Sequence, residues 1–340
     1  MAWAPDGRSL YFTDRKGGAP KLFRIALDHG SVPELVPGLG EHISDISLAG
    51  TRLVYSYAFL DYNLWRSEIG PGGKLGAATP FQQSTRIETN PEYSPDGSQI
   101  AFVSDRSGEN EVWVAAADGA RPRQITQGAS ASLAAWSPGR HRDPLYRDSR
   151  EGPRAVPRSG SGWPGQDGRP AGRLCGPVGG GRHGIYITWA PSGEQYTLLR
   201  ISPSGDGKPT PITEIRGDAA DYVESPEGRH MWLLEASSGP GLFKIPAAGG
   251  EPVTTVPLKG VRNYAPHRDG IYFVETGTTS LQLYRNADGT IVELATFDGP
   301  VPMISETGRR RFTVSPGGKA IVYAKEDQRV DDLMIVVDFR

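Results

Sequence analysis

Short apolar bursts alternate with turn-forming clusters along most of this chain. Residues 90–126 show the pattern most clearly, as NPEYSPDGSQIAFVSDRSGENEVWVAAADGARPRQIT. Apolar or strand-length runs lie at Tyr93, Ile100–Val103, Val112–Val114 and Gln124–Thr126. Pro-Asp-Gly, Arg-Ser-Gly-Glu-Asn and Ala-Asp-Gly-Ala separate them. Each run has strand length and each separator has turn chemistry, so the unit predicts a four-stranded antiparallel meander. Alternation along a strand sets Ile100 and Phe102 on one face and Ala101 and Val103 on the other. Both faces are then apolar, which a sheet tolerates only when it is sandwiched between neighbours.

The pattern recurs. Its opening motifs fall near residues 3, 46, 93, 136, 223 and 314, a period of about 43 to 46 residues, which is the range of blade-forming repeats. Weaker units near Gly184–Ile187 and Asn263 bring the series to eight. One such meander cannot bury its own faces and must stack on copies of itself. A radial array of these sheets leaves only short, protected edges. The expectation is an all-β fold: a single β-propeller over residues 1–340, with seven or eight blades of about four antiparallel strands. If the first and last units share a blade, residues 312–337 pack beside residues 3–25. Trp65, Trp113 and Trp232 are expected to fill space between blades.

The pattern breaks between Gly139 and Gly181. Arg, Gly and Pro dominate there, and the only β-branched residues are Val156 and Val178. Such a segment has too little apolar surface to pack as a strand set, so one blade, about 139–181, is expected to be disrupted. Blade spacing is nevertheless kept across it, which suits an out-of-frame translation of an ordinary blade. Residues 158–165 can be encoded so that a one-nucleotide shift reads Val-Ala-Ala-Ala-Gly-Gly-Pro, close to Val114–Ala120. A natural insertion is the rival reading.

Composition adds limits. The 340 residues include 44 Gly and 29 Pro, a turn-rich mixture, and the formal net charge is −2. No strong field draws nucleic acid or an anionic membrane, and Arg309–Arg311 reads as a solvated turn. The single cysteine, Cys175, excludes an internal disulfide and a cysteine metal cluster. No run of about 18 apolar residues spans a bilayer. Met1 leads directly into a repeat motif without a signal-peptide pattern, a start that suggests lost upstream sequence.

Candidate chemistry is sparse. Asp6, Asp96 and Glu227 sit in Pro-Asp-Gly or Pro-Glu-Gly turns, where proline presets φ, the carboxylate caps the turn and glycine takes positive φ. A calcium loop needs more oxygen ligands close in sequence. A Gly-x-Ser-x-Gly nucleophile elbow is absent, because Gly128-Ala129-Ser130-Ala131 continues with Ser132. His29, His42, His141, His183, His230 and His267 show no metal spacing. Asp45, Asn90 and Asp221 precede their motifs at comparable places and are expected to bridge blades near the axis. The reading assigns no catalytic, cofactor-binding or metal-ligating residue.

At Ser-Pro-Asp-Gly, Ile-Ala-Phe-Val-Ser-Asp-Arg-Ser-Gly and Val-Trp-Val, the chain resembles the WD40-like (PD40) repeats of TolB-type β-propellers. The ending, Phe312–Arg340, resembles the C-terminus of large bacterial sensor or regulator proteins that carry propeller arrays. The resemblance implies a non-catalytic scaffold for a protein or peptide partner, extracytoplasmic or periplasmic and monomeric, forming part of a larger protein. Metal-dependent lactonase-like propellers, accessory propellers of serine peptidases and a fragment without independent function are the alternatives.

Overall fold

The computed structural model describes residues 1–14, 19–127, 131–136, 144–148, 152–155, 173–180, 185–190, 195–201, 209–216, 219–225, 227–235, 242–250, 254–256, 261–275, 277–297 and 312–339. From 131 to 222 this description is mostly of backbone strands. The architecture is an all-β propeller. Four strands open the chain: Ala2–Trp3, Ser9–Asp14, Lys21–Ala26 and Glu34–Leu35 (β1–β4). Ile43–Ala49 (β5), Arg52–Glu68 (β6) and Thr79–Gln82 (β7) follow.

The next sheets follow the repeat. They are Glu88–Tyr93, Gln99–Ser104, Glu111–Ala116 and Arg123–Gln124 (β8–β11), then Ala131–Trp136, Pro144–Asp148 and Gly152–Ala155 (β12–β14). Arg173–Gly180, Ile185–Ala190, Gln195–Ile201 and Pro209–Arg216 (β15–β18) form another sheet. Ala219–Glu224, His230–Glu235, Leu242–Pro246 and Thr254–Val256 (β19–β22) precede Val261–His267, Gly270–Glu275, Ser280–Arg285 and Ile291–Thr296 (β23–β26). Phe312–Val314 (β27) and Ala320–Val336 (β28) end the chain's strands.

Among the described residues, six sheets close a ring. Their first strands pack in sequence, β8 on β12, β12 on β15, β15 on β19, β19 on β23, β23 on β27, and β27 back on β8. The closing blade is ordered β27-β28-β6-β7 and so combines both ends of the chain. Its partner from the N-terminal side is the second unit, not the first. The first unit, β1–β4, forms a complete sheet of its own and packs on β5, beside the ring. Segment 312–337 is therefore divided. Phe312–Tyr323 lies in the ring against β23–β26. Val336, with Phe339 beyond it, packs against the apolar cluster that holds Tyr11 of the first unit, the Tyr11 and Phe339 ring centroids being 5.2 Å apart.

The reason is the length of β6 and β28. The apolar pattern splits each into two strands, at Leu53–Tyr57 and Asn63–Ile69, and at Ala320–Tyr323 and Leu333–Val337. Each is instead one 17-residue strand. They pair antiparallel from Ala320↔Glu68 to Val336↔Leu53, with one bulge between Glu326 and Gln328. Neither strand holds a glycine or proline, so no breaker overrides pairing. The Glu68 end belongs to the ring. The Leu53 end belongs to a second sheet, with β5, that faces β1–β4.

The core sits between sheets, as the alternation within each strand requires. Ile100 and Phe102 pack with Leu64, Val322 and Ala324 of the closing blade. Ala101 and Val103 pack on the opposite side with Trp136 of the next blade. Trp232 lies in the interface of β19–β22 with β23–β26, and Trp65 packs against the closing blade's core.

The Ser-Pro-Asp-Gly elements are turns. Gly97, Gly228 and Gly318 each donate their amide to the carbonyl three residues earlier, at 2.8 Å, with φ of 72°, 73° and 68°. Asp96 accepts from the Ser98 amide at 3.0 Å, and Asp6 from the Arg8 amide at 2.8 Å. That amide bond, foremost, holds the Asp6 carboxyl below its ordinary value.

Within residues 139–181, backbone strands β13, β14 and β15 are described, and β12–β14 form a three-stranded sheet. Residues 156–172, which carry the frame-shift signature, lie outside the described residues, as does Arg309–Arg311.

Candidate functional site: a carboxylate junction and an uncovered pair of sheets

A polar junction forms where β6 and β28 leave the ring. Glu88, the first residue of β8, is fully buried. Ser84 and Ser104 donate hydroxyls to its Oε1 at 2.6 and 2.8 Å, and Arg106 Nη2 lies 3.1 Å from the same oxygen. Burial pushes the Glu88 carboxyl above its ordinary value despite these partners. The Arg106 guanidinium is held over the rings of Phe102 and Trp113, at 5.4 and 5.1 Å. Asp105 accepts the Ile87 amide at 2.8 Å.

Across this junction, Asn63 Nδ2 donates to Asp61 and to Asp327, each at 3.0 Å, and its Oδ1 accepts the Ser84 amide at 2.9 Å. Tyr62 donates to Glu326 at 2.9 Å. Burial, then the charges of Glu88 and Asp327, raise the Asp61 carboxyl to about 6. The group can hold a proton near neutrality. Most of its polar atoms are engaged by one another, which is the chemistry of a fastening between blades. Among the described residues no group of three His, Cys, Asp or Glu is placed to hold a metal ion.

The sequence singled out Asp45, Asn90 and Asp221, and each falls at a bulge in the first strand of its sheet. The register slips between Ile43 and Ile46, between Thr89 and Glu92, and between Ala219 and Asp221. Asn90 is buried in β8 with φ of 55°. Asp45 lies outside the ring, so the positions are equivalent without converging. The side chains of Asp221 and Cys175, and Ser130, His141 and His183 as a whole, are outside the described residues.

Of the other histidines, His267 is buried, its Nε2 3.2 Å from the Pro316 carbonyl of the last unit. Glu88, Arg106, Asp61 and Asp327 were not legible as a set. Their one sequence signal is polar residues interrupting strands that lack breakers.

Outside the ring, the sheet of β1–β4 and the sheet of β5, β6 and β28 face each other over Tyr11, Leu22, Ile43, Leu53 and Tyr55. Their other faces are uncovered among the described residues. Register places Trp3, Leu10, Phe12, Phe23, Ile25 and Leu35 on the outer face of the first sheet. Trp3 and Leu35 are 61% and 52% exposed, and Phe12 stacks on Phe23 at 5.9 Å. On the second sheet, Val54 pairs with Ile335 and Ser56 with Leu333. Ile335 and Leu333 are 63% and 70% exposed. A shallow cleft of about 410 Å³ lies on this sheet, lined by Asp45, Ser56, Ala58, Asp331, Asp332 and Leu333 among others. Among the described residues, no strand pairs with the second edge of β28 at Arg329–Val336.

No family model matches the chain. Over 123 residues it is 31% identical to "Protein TolB homolog" of Chlorobium luteolum, which covers 33% of this chain and 25% of that protein. Over 80 residues it is 34% identical to "Uncharacterized peptidase YuxL" of Bacillus subtilis, covering 22% of this chain and 11% of that one. The matched stretches thus span a quarter or less of these curated relatives. Among solved structures, a putative TolB from Agrobacterium tumefaciens has a TM-score of 0.47 at 13% identity, over 79% of this chain and 99% of that one. A chain of a nidogen/laminin complex has a TM-score of 0.49 at 11% identity, over 82% and 100%. No helix among the described residues is long and apolar enough to cross a membrane.

Proposed function

We propose that this chain is a non-catalytic β-propeller scaffold that docks a protein partner on the sheet surface beside its ring. One observation carries this reading: among the described residues, exposed large apolar side chains concentrate on the two-sheet unit, at Trp3 and Leu35 on one side and Leu333, Ile335 and Val337 on the other. Contiguous exposed apolar surface marks interaction sites. The raised carboxyls of Glu88 and Asp61, by contrast, sit at the blade junction, hydrogen-bonded to Ser84 and Ser104 and to Asn63. The repeats are read as TolB-type PD40 repeats, and an extracytoplasmic location follows from that reading.

A photo-crosslinking residue placed at Ile335 or Leu35 is expected to capture protein, while one at Lys319, in a ring turn, captures none. Capture confined to Lys319, or turnover of lactone or peptide substrates by the purified chain, would overturn the reading. Fractionation of cells making the native protein tests the location.

A further inference from the structure

We propose that copies of this chain associate head to tail, the outer face of β1–β4 on one copy packing against the outer face of β5, β6 and β28 on the next. This names the partner for the docking surface and rests on that reading. The expectation from the sequence is a monomer, and the two-sheet unit beside the ring changes that expectation.

The contact that would form already exists inside the molecule. Each blade buries one face on the preceding sheet and the opposite face on the following one, as Ile100 and Phe102 do on one side and Ala101 and Val103 on the other. The two-sheet unit makes one such contact, over Tyr11, Leu22, Leu53 and Tyr55. Among the described residues it leaves two half-contacts of opposite sense: the preceding-side face of β1–β4, bearing Trp3, Phe12 and Phe23, and the following-side face of the next sheet, bearing Val54, Leu333 and Ile335. One copy's first face fits the other copy's second face because that is how sheets of this repeat meet. The β28 edge supports the same assignment. Order β5-β6-β28 supplies three strands of a blade, and among the described residues no fourth strand pairs beside Arg329–Val336.

Such a contact is heterologous, so it closes into a ring or continues as a filament. With two sheets contributed per copy, closure at six to eight blades takes about three or four copies.

Sedimentation of the intact chain tests this. The expected result is a weight-average mass that rises with concentration from 36.7 kDa to multiples of it. Phe23→Glu or Trp3→Glu removes one face, and Ile335→Lys or Leu333→Lys removes the other, so each variant alone is expected to remain monomeric. Mixing a variant of each kind leaves one complementary pair and is expected to give a 1:1 dimer and nothing larger. Circular dichroism and a retained thermal transition establish that each variant is folded; Trp3→Glu and Leu333→Lys alter exposed side chains and keep the test usable if the other two fail.

A monomeric parent chain at about 100 μM, a hundredfold above a micromolar dissociation constant, overturns the proposal. So does dimerisation of Ile335→Lys alone, which would mean that like faces pair. If the parent is monomeric while a crosslinker at Ile335 captures a different protein, self-association falls and the docking function stands. If nothing is captured, both fall.

Discussion

The indole nitrogen of Trp65 donates to both carboxylate oxygens of Asp327, at 3.0 and 3.1 Å, across 262 residues of sequence. Lys325 Nζ lies over the same indole, 4.7 Å from its centroid. The contact marks the point where β6 and β28 cease to be ring strands and become part of the sheet beside it. The two ends of the chain thus close the propeller and carry the second unit on the same pair of strands.

Closure makes Leu64 a sensitive position. It is fully buried between the closing blade and the sheet of β8–β11. Leu64→Ala is expected to cost about 2–5 kcal/mol through lost burial and a residual cavity. Thermal unfolding is expected to shift to a lower Tm; an unchanged Tm would mean that the ring is not held by this interface.

Arg106 and Glu88 are expected to respond unequally to substitution. Arg106→Ala leaves a buried carboxylate without its counter-charge, at a cost of about 3–5 kcal/mol near neutral pH. Glu88→Gln keeps an acceptor for Ser84 and Ser104 and costs less. Burial already favours the protonated form of Glu88, so the cost of Arg106→Ala shrinks in acid. Urea denaturation at pH 5 and pH 8 reads the difference.

Asp61 gives a second pH dependence. Its carboxyl titrates near 3.8 in the unfolded chain and at about 6 in the fold. Between those values the folded state binds more protons, so this group lowers stability as pH rises through the window, and the loss is complete above it. Because Asp61 is partly exposed, solvent screening limits the effect to about 1 kcal/mol. Asp61→Asn is expected to remove this dependence and to raise stability at pH 7. A variant whose stability still falls between pH 4 and 6 by the same amount would place the effect elsewhere.

His267 behaves in the opposite sense. The Asp269 amide donates to Nδ1 at 3.3 Å, and Nε2 faces the Pro316 carbonyl at 3.2 Å. Both bonds are satisfied by the neutral ring with its proton on Nε2. Burial holds the imidazole below its ordinary value. The contribution is present above pH 6.5 and is lost as pH falls through the lower folded value, because the unfolded chain then binds the extra proton. His267→Ala is expected to weaken the joint between the β23–β26 blade and the last turn by about 1–3 kcal/mol, leaving a carbonyl without its donor. Nitrogen-15 NMR of the ring checks the tautomer directly.

Much of this molecule was legible in one dimension. Apolar bursts of strand length, with both faces apolar as at Ile100–Val103, are local properties and specify sandwiched sheets. Gly97, Gly228 and Gly318 take positive φ because their turns demand it, and the carboxylates of Asp6 and Asp96 serve those turns. The common place of Asp45, Asn90 and Asp221 was visible as well, although its meaning, a bulge in each first strand, was not.

The division of eight similar units, with the third to seventh in the ring, the first beside it, and the second and eighth shared between the two, came only from tertiary structure. So did the junction of Asp61, Glu88, Arg106 and Asp327. The physical reason is that all blades present the same kind of apolar face, so the pattern states that a sheet needs neighbours without stating which. The choice was made by pairing β6 with β28 over 17 residues each, between segments more than 250 positions apart, where strand register and not local propensity decides what meets what.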